Sequence, residues 1–422
     1  MSARRGAGAE RTLEVYLDNE STEGPARVGL LHSDQNNIRF EYDEAWLKGG
    51  GAFALDPRLT LDKGVFHTNP DQSSFGVFMD SAPDRWGQKL MDKREQLAAL
   101  EEKRQPRKLY AWDYLVGVQD ETRMGALRFK RPGGEAFLDN HPRPAPPVSD
   151  LRQLEHVAGL VASRNALDDL DQLRQWLAVL VAPGASLGGA RPKANFREDD
   201  GSLWIAKFPS RDDDRDAARW EMLVHQMAAD AGLNVPPAAL KRFASPFHTF
   251  CVRRFDRVGG RRCAYMSAMT ALGRSDGESG SYLDILGFLQ SAGGSKKAIA
   301  EDQRELFRRV VFNVAVGNRD DHLRNHGFIF ADNGWRLAPA FDMNPAHEKD
   351  AHVLTLDGKS AAPSMQLVME TAGLYDLHVD EARAIIDSTC ELASTWRERA
   401  VRMDLPKGDI KLTAAAFNAP RL

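Results

Sequence analysis

Only three cysteines occur in the 422 residues, Cys251, Cys263 and Cys390, and none forms a closely spaced pair. That excludes a disulfide framework or a zinc ribbon and fits a reducing compartment. No run approaches the roughly 20 apolar residues that a membrane-spanning helix needs, so no membrane association is expected. Neither sign of charge dominates. The 56 basic residues face 60 acidic ones for a formal net charge of −4, which argues against a chain that coats nucleic acid or a lipid surface as a whole. The opening "MSARRGAGAERTLEVYL" has arginines but no apolar core, so a signal peptide is not expected and the cytoplasm is the expected location. Internal repeats are also missing. What remains is 42% apolar and 27% charged, ordinary for a soluble globular protein. The length suits two lobes rather than one small core.

The runs "TLEVYLDN", "ARVGLLHS" and "NIRFEYDEAWL" alternate strand-forming and polar positions and predict a small antiparallel sheet. Residues 73–104 read as one helix, with Pro83 near its start and Asp84 in its first turn. A short helix, a turn and a strand follow, and then the Pro- and Gly-rich stretch 131–150, the best linker in the chain. Beyond it come two helices and then a Gly-rich loop between two strands, with Lys207 near the end of the second. An amphipathic helix follows, stopped at Gly232 and Pro236. "FHTFCVRRFDR" and "RRCAYMSAMTAL" predict a strand pair, and "ELFRRVVFNVAVGN" an apolar helix. The last hundred residues read as mostly helical, ending in a loose tail "LTAAAFNAPRL".

Chemistry concentrates in "VGNRDDHLRNHGFIFADNGWRLAPAFDMNP". Asp320 and Asn325 stand five apart on a loop after the apolar helix. Two strands joined by "ADNG" then lead to Asp342, and a tight hairpin returns its end to its beginning. Two carboxylates and an amide in one volume make a hard oxygen site of the kind that suits Mg²⁺ with substrate phosphates. That order is the phosphoryl-transfer layout: an acid that orients a hydroxyl, then an amide and an acid for the metal. Asp and Asn are also common turn and cap residues, and His322 with His326 could hold zinc if they shared a helix face. The remaining parts of such an enzyme can be sought upstream. Lys207 ends an apolar strand, and Glu221 lies on the next helix, close enough in sequence to be its partner. The loop "SLGGARPK" is no Walker A, but Gly188, Gly189 and Ala190 are small enough for their amides to approach phosphates, beside Arg191 and Lys193. Ser186, before the glycines, is a candidate phosphorylation site.

The runs "SLGGARPKANF", "LWIAKFPS", "WEMLVHQMAADAGLNVP", "VRRFDR" and "GNRDDHLRNHGFIF…WRLAPAFDMNP" together resemble the HipA-like serine/threonine kinases, toxins of bacterial toxin–antitoxin modules. "VGLL", "FEYDEAWL", "DSAPDRWG" and "YLVGVQDETRMGALRF" resemble that family's first subdomain, so the resemblance spans roughly residues 12 to 400. It implies an α+β, two-lobed protein-kinase-like fold with an extra N-terminal β-rich subdomain and a mostly helical C-terminal lobe. The expected boundaries are 1–130 for the N-terminal subdomain, 131–150 for the linker, 151–255 for the nucleotide-binding N-lobe portion and 256–422 for the C-terminal lobe. It further implies ATP and Mg²⁺, with Asp320 catalytic and Asn325 and Asp342 on the metal. Lys207 would meet the nucleotide phosphates, supported by Glu221, the loop from Gly188 to Lys193 and His322. Arg253, Arg254 and Phe255 would form the hinge against adenine, and Asp256 would lie by the ribose. Arg253 departs from the resemblance, since a characterised relative has glutamate at that hinge position. Ser186 matches the serine these kinases autophosphorylate. A helix-turn-helix antitoxin is the implied partner, holding the chain on DNA, and an aminoacyl-tRNA synthetase is the implied kind of substrate. Two other readings remain open: a kinase-like component of a repressor complex without catalysis, and a metal-dependent hydrolase using Asp320, His322, His326 and Asp342.

Overall fold

The computed structural model describes residues 11–20, 22–34, 37–69, 72–139, 145–162, 170–184 and 191–417. The fold is mixed α/β, β-rich at the start and helical towards the end. The chain divides into two units, Met1–Leu203 with Asp256–Met266, and Trp204–Phe255 with Ser267–Leu422.

The first unit is built on the predicted sheet. Strands β1 (Arg11–Leu17), β2 (Ala26–Asp34), β3 (Asn37–Tyr42), β4 (Val65–His67) and β5 (Leu127–Lys130) lie in the order β4-β3-β2-β1-β5. Along β1, Leu13, Val15 and Leu17 face inward and are buried, the period-2 pattern of a one-sided sheet. Phe40, Phe78 and Phe129 form the aromatic centre, with ring centroids 5.6 and 6.1 Å apart. Residues 73–104 form two helices rather than one, Gly76–Asp80 and Arg85–Glu101. Pro83 has no N–H to continue the first helix, and the Asp84 carboxylate caps the second by accepting from the Arg85 amide at 2.8 Å. Trp86 on that second helix donates to the Lys193 carbonyl at 2.8 Å, on strand β6 (Lys193–Arg197). Past β5 the chain doubles back on the sheet. Phe137 lies edge-on to Tyr16 at 5.6 Å, with the Arg128 guanidinium 3.6 Å from its ring centre.

In the second unit, strands β7 (Leu203–Lys207), β8 (Ala238–Lys241) and β9 (Thr249–Arg253) run in the order β7-β9-β8. The register sets Lys207 opposite Phe250 and Trp204 opposite Arg253. The expected pairing of "FHTFCVRRFDR" with "RRCAYMSAMTAL" forms only at their near ends, where Arg257 lies opposite Arg262. β9 takes β7 and β8 as neighbours, while Arg257–Val258 pairs with Arg261–Arg262. Gly259 and Gly260, at φ +55° and +80°, close that ribbon as a tight two-residue turn. The helix Ala217–Asp230 buries Ala218 and Met222 against Phe250 and Val252. It ends before Gly232 at φ +78°, as its sequence predicts.

The helix Lys296–Val316 starts at the Ser295 cap and is buried along its last two turns. It stops at Gly317, in the left-handed region at φ +65°. Strands Gly327–Ala331 and Gly334–Leu337 form the predicted hairpin, closed through Asp332 and Asn333, both at positive φ. The tail is not loose as far as Phe417. Ala416 is fully buried, and Phe417 stacks on Trp396 with centroids 4.4 Å apart. Burying that apolar pair outweighs the tail's weak local propensity. A Cβ at Gly317 would come within 2.1 Å of the Ala416 carbonyl oxygen. Gly317→Ala should therefore cost about 2 kcal/mol or more, read as a lower midpoint in chemical denaturation.

Candidate active site

The loop that follows Gly317 would be costly to order without partners, because it carries charge and no apolar anchor except Leu323. Its order comes from a chain of polar bonds around Asp321, which is 1% exposed. One Asp321 oxygen accepts from the Tyr282 hydroxyl at 2.6 Å and from His352 Nδ1 at 2.9 Å, and the other accepts from the Val353 amide at 2.8 Å. Asn313 Nδ2 donates to the Tyr282 oxygen at 2.8 Å, Asn318 Nδ2 to the Asn313 amide oxygen at 3.0 Å, and the Asn344 amide to Asn318 Oδ1 at 3.2 Å. The network thus joins the helix that starts at Tyr282, the long buried helix, the loop, and the segments at 344 and 352. Burial opposes the charge of Asp321, but His352, Tyr282 and the Val353 amide outweigh it and hold its carboxyl below the ordinary range. Burial first, and then the Asp321 charge, push the Tyr282 phenol well above its usual value, so it stays a donor.

Asp320 points the other way. Its side chain is half exposed, and Oδ1 lies 2.5 Å from Lys349 Nζ. Asn325 closes the turn Leu323–Asn325. Its amide N–H donates to the His322 carbonyl and its Nδ2 to the Asp320 carbonyl, both at 2.8 Å. The structure therefore joins Asp320 and Asn325, with the Asn325 side-chain oxygen left as an acceptor. No helix puts His322 and His326 on a shared face, because the intervening turn is a single 3₁₀ turn with extended backbone at both histidines.

A second group forms around Lys207, which is 13% exposed. Its ammonium lies 2.5 Å from Glu221 Oε1 and 2.8 Å from Asp342 Oδ1, and 5.7 Å from the centre of the Phe250 ring. Burial works against this charge, yet the two carboxylates override it and hold the lysine protonated beyond its ordinary range. Asp342 is at φ +57°, a left-handed conformation that non-glycine residues adopt at a cost. It is held between Phe341, stacked on Phe255 with centroids 5.5 Å apart, and Asn344 on the loop network.

The other expected site residues divide between the two units. Arg253 is exposed, and its amide donates to the Pro237 carbonyl at 2.9 Å. Arg254 is buried and Phe255 half-buried. Asp256 is fully buried in the first unit, where it accepts from the Gly125 amide at 2.8 Å and from Arg257 at 2.7 Å. It fastens the turn there. Lys193 is buried in β6, and Arg191 precedes it, half-buried. Ser186, Gly188, Gly189 and Ala190 lie outside the described residues. The sequence reading missed Asp321, Tyr282, Asn313, His352 and Lys349. Only the doubled "DD" signalled the first of them.

Comparison with known proteins adds to this geometry. Residues 185–396 match the family described as HipA-like C-terminal domain, and residues 13–130 match HipA N-terminal domain. A Haemophilus influenzae protein named "Putative kinase" is 27% identical over 183 residues, covering 38% of this chain and 52% of that protein, so this chain spans about half its length. "Putative kinase Y4mE" of Sinorhizobium fredii is 27% identical over 368 residues, covering 79% of this chain and 77% of that protein. A chain in the solved Shewanella oneidensis toxin–antitoxin complex of HipA, HipB and operator DNA has the same fold. The TM-score is 0.65 at 15% identity, covering 96% of this chain and 95% of that one.

The buried network yields a sign for the effect of pH. The carboxyl of Asp321 is depressed in the folded chain, so its stabilisation is present above the unfolded value near 4 and is lost as pH falls through the folded one. Asp321→Asn should cost roughly 3 kcal/mol at pH 7 by leaving buried donors without an anion. The gap to wild type should narrow below about pH 4, as read by denaturant unfolding at each pH.

Proposed function

The chain belongs to the HipA-like family, and on that premise we propose that it is an ATP- and Mg²⁺-dependent serine/threonine protein kinase. The observation that carries this reading is Lys207 held between Glu221 and Asp342, in the same unit as the Asp320–Asn325 loop. Phosphoryl transfer needs these parts: a lysine for the nucleotide phosphates, an acid that holds it, a metal acid and a hydroxyl-orienting acid.

Whether Mg²⁺ suits these residues can be judged from the donors. Asp342 already attracts a cation, the Lys207 ammonium, while 40% of its side chain stays exposed. The Asn325 amide keeps an oxygen acceptor. Among the described residues no three His, Cys, Asp or Glu side chains gather as a ready cage. Mg²⁺ is ordinarily held by one or two carboxylates and completed by waters and phosphates, so the donor set fits. Asp342 and Asn325 would hold the ion, which supplies charge neutralisation on the phosphates.

In this reading Lys207 holds the phosphates, and Glu221 fixes the lysine. Asp320 orients the acceptor hydroxyl and takes its proton as oxygen bonds to the γ-phosphorus. The bond from that phosphorus to the β–γ bridging oxygen breaks, and ADP leaves. A serine on a protein is the acceptor, and an aminoacyl-tRNA synthetase is the kind of target that would let the chain act as a toxin by stalling translation. A helix-turn-helix antitoxin, HipB-like, is its partner and makes most of the DNA contacts, which accords with a net charge of −4. The chain works in the cytoplasm. Among the described residues no helix is long and apolar enough to cross a membrane.

Ser186 is the self-inhibitory acceptor. A phosphoryl group there adds about −1.5 to −2 charges at pH 7, a charge that bound nucleotide would repel. Incubated with Mg-ATP, unphosphorylated wild type should gain the mass of one phosphoryl group, mapped to Ser186, and Asp320→Asn should gain none. No gain in wild type would sink the kinase reading. A gain at another residue would keep the kinase and remove Ser186. Ser186→Ala should remain active on other substrates and be more toxic on expression, and toxicity equal to wild type would count against self-inhibition.

A further inference from the structure

We propose that Lys349 is a positioning residue for Asp320, and this proposal rests on the kinase reading above. Three consecutive residues of the loop bind one later segment of the chain. Arg319, 7% exposed, donates through Nη1 to the main-chain carbonyl of Lys349. Asp320 takes the ammonium at the other end of the same residue, with Oδ1 2.5 Å from Nζ. Asp321 holds His352 Nδ1 and the Val353 amide, three and four residues further on. Residues 319–321 thus grip the segment 349–353 at four points.

An isolated surface ion pair contributes little, because ordering a long lysine side chain offsets the Coulomb gain. Here the lysine's main chain is already fixed by a buried arginine, so much of that ordering is done before the pair forms. Among the described residues, Lys349 is also the one side-chain partner of the Asp320 carboxylate. A half-exposed carboxylate with no partner would sample several rotamers. One oxygen tied to a fixed cation leaves the other in a defined direction for a hydroxyl proton. Positioning of this kind governs a large part of the barrier in a reaction with little covalent assistance from the protein. Lys349 acts through Asp320, not on the phosphates.

The test uses the full chain with Mg-ATP and a protein acceptor. Lys349→Ala should lower kcat roughly 10- to 100-fold while KM for ATP stays within about twofold. Lys349→Arg should recover most of the loss. A second readout is independent of turnover. In nucleotide-free protein, acetylation of Lys349 by an N-hydroxysuccinimide ester should rise several-fold in Asp320→Asn, read by peptide mass spectrometry. Lys297, 87% exposed, should be unchanged as the control. An unaltered kcat in Lys349→Ala or unchanged labelling would each overturn the proposal. If wild type transfers no phosphoryl group, the kinase reading fails and the catalytic role of Lys349 fails with it, while the labelling contrast still decides whether the pair forms.

Discussion

The second unit is organised around a positive charge that water barely reaches. Lys207 comes from a strand, Glu221 from the helix after it, and Asp342 from the segment after the hairpin, more than a hundred residues on. A buried ammonium is tolerable only with close anions, and a buried carboxylate only with a close cation. The three elements are therefore mutually dependent. Shifting the helix would leave Glu221 without a cation, and shifting the hairpin exit would leave Lys207 short of charge. Such an arrangement gives registry more than stability, because a well-packed apolar trio would fold at lower electrostatic cost. Retaining charge there accords with the proposed role of Lys207 at the nucleotide phosphates.

The same division of labour separates two neighbours in sequence. Asp320 and Asp321 are identical side chains with opposite environments, one half exposed beside Lys349, the other enclosed by Tyr282, His352 and a main-chain amide. The enclosed one orders the loop, and the exposed one is presented by it. A loop that keeps a carboxylate exposed cannot rely on apolar burial alone for its order. Here an internal polar network replaces the missing apolar contacts. The positive φ of Asp342 belongs to the same economy of structure. Local strain persists there because Phe341 and Asn344, on either side, are each fixed by a neighbour.

Where sequence reasoning erred, the cause was a competing local rule or a distant partner. Pro83 divides residues 73–104 into two helices because a missing N–H outweighs helical periodicity. Gly259 and Gly260 limit the expected strand pair to a short ribbon at Arg257 and Arg262, and β9 pairs with β7 and β8 instead. The tail seemed structureless from composition, yet Phe417 finds Trp396 about twenty residues back. The first two deciding features are local, and only the last lay outside the window over which periodicity is read.

The sequence by itself determined the element types, the alternation of the first sheet, the hairpin after "HGFIF" and the residue types that could perform phosphoryl transfer. These are properties of spacing and side-chain chemistry, and they need no partner. Only the tertiary structure decided that Lys207 meets both Glu221 and Asp342, that Asp321 rather than Asp320 is the loop's anchor, and that Asp256 is spent on Gly125 and Arg257 inside the first unit. Two adjacent aspartates are indistinguishable in one dimension. Their environments differ because burial and hydrogen bonding are set by residues 29 or more positions away, which only the folded chain brings within reach.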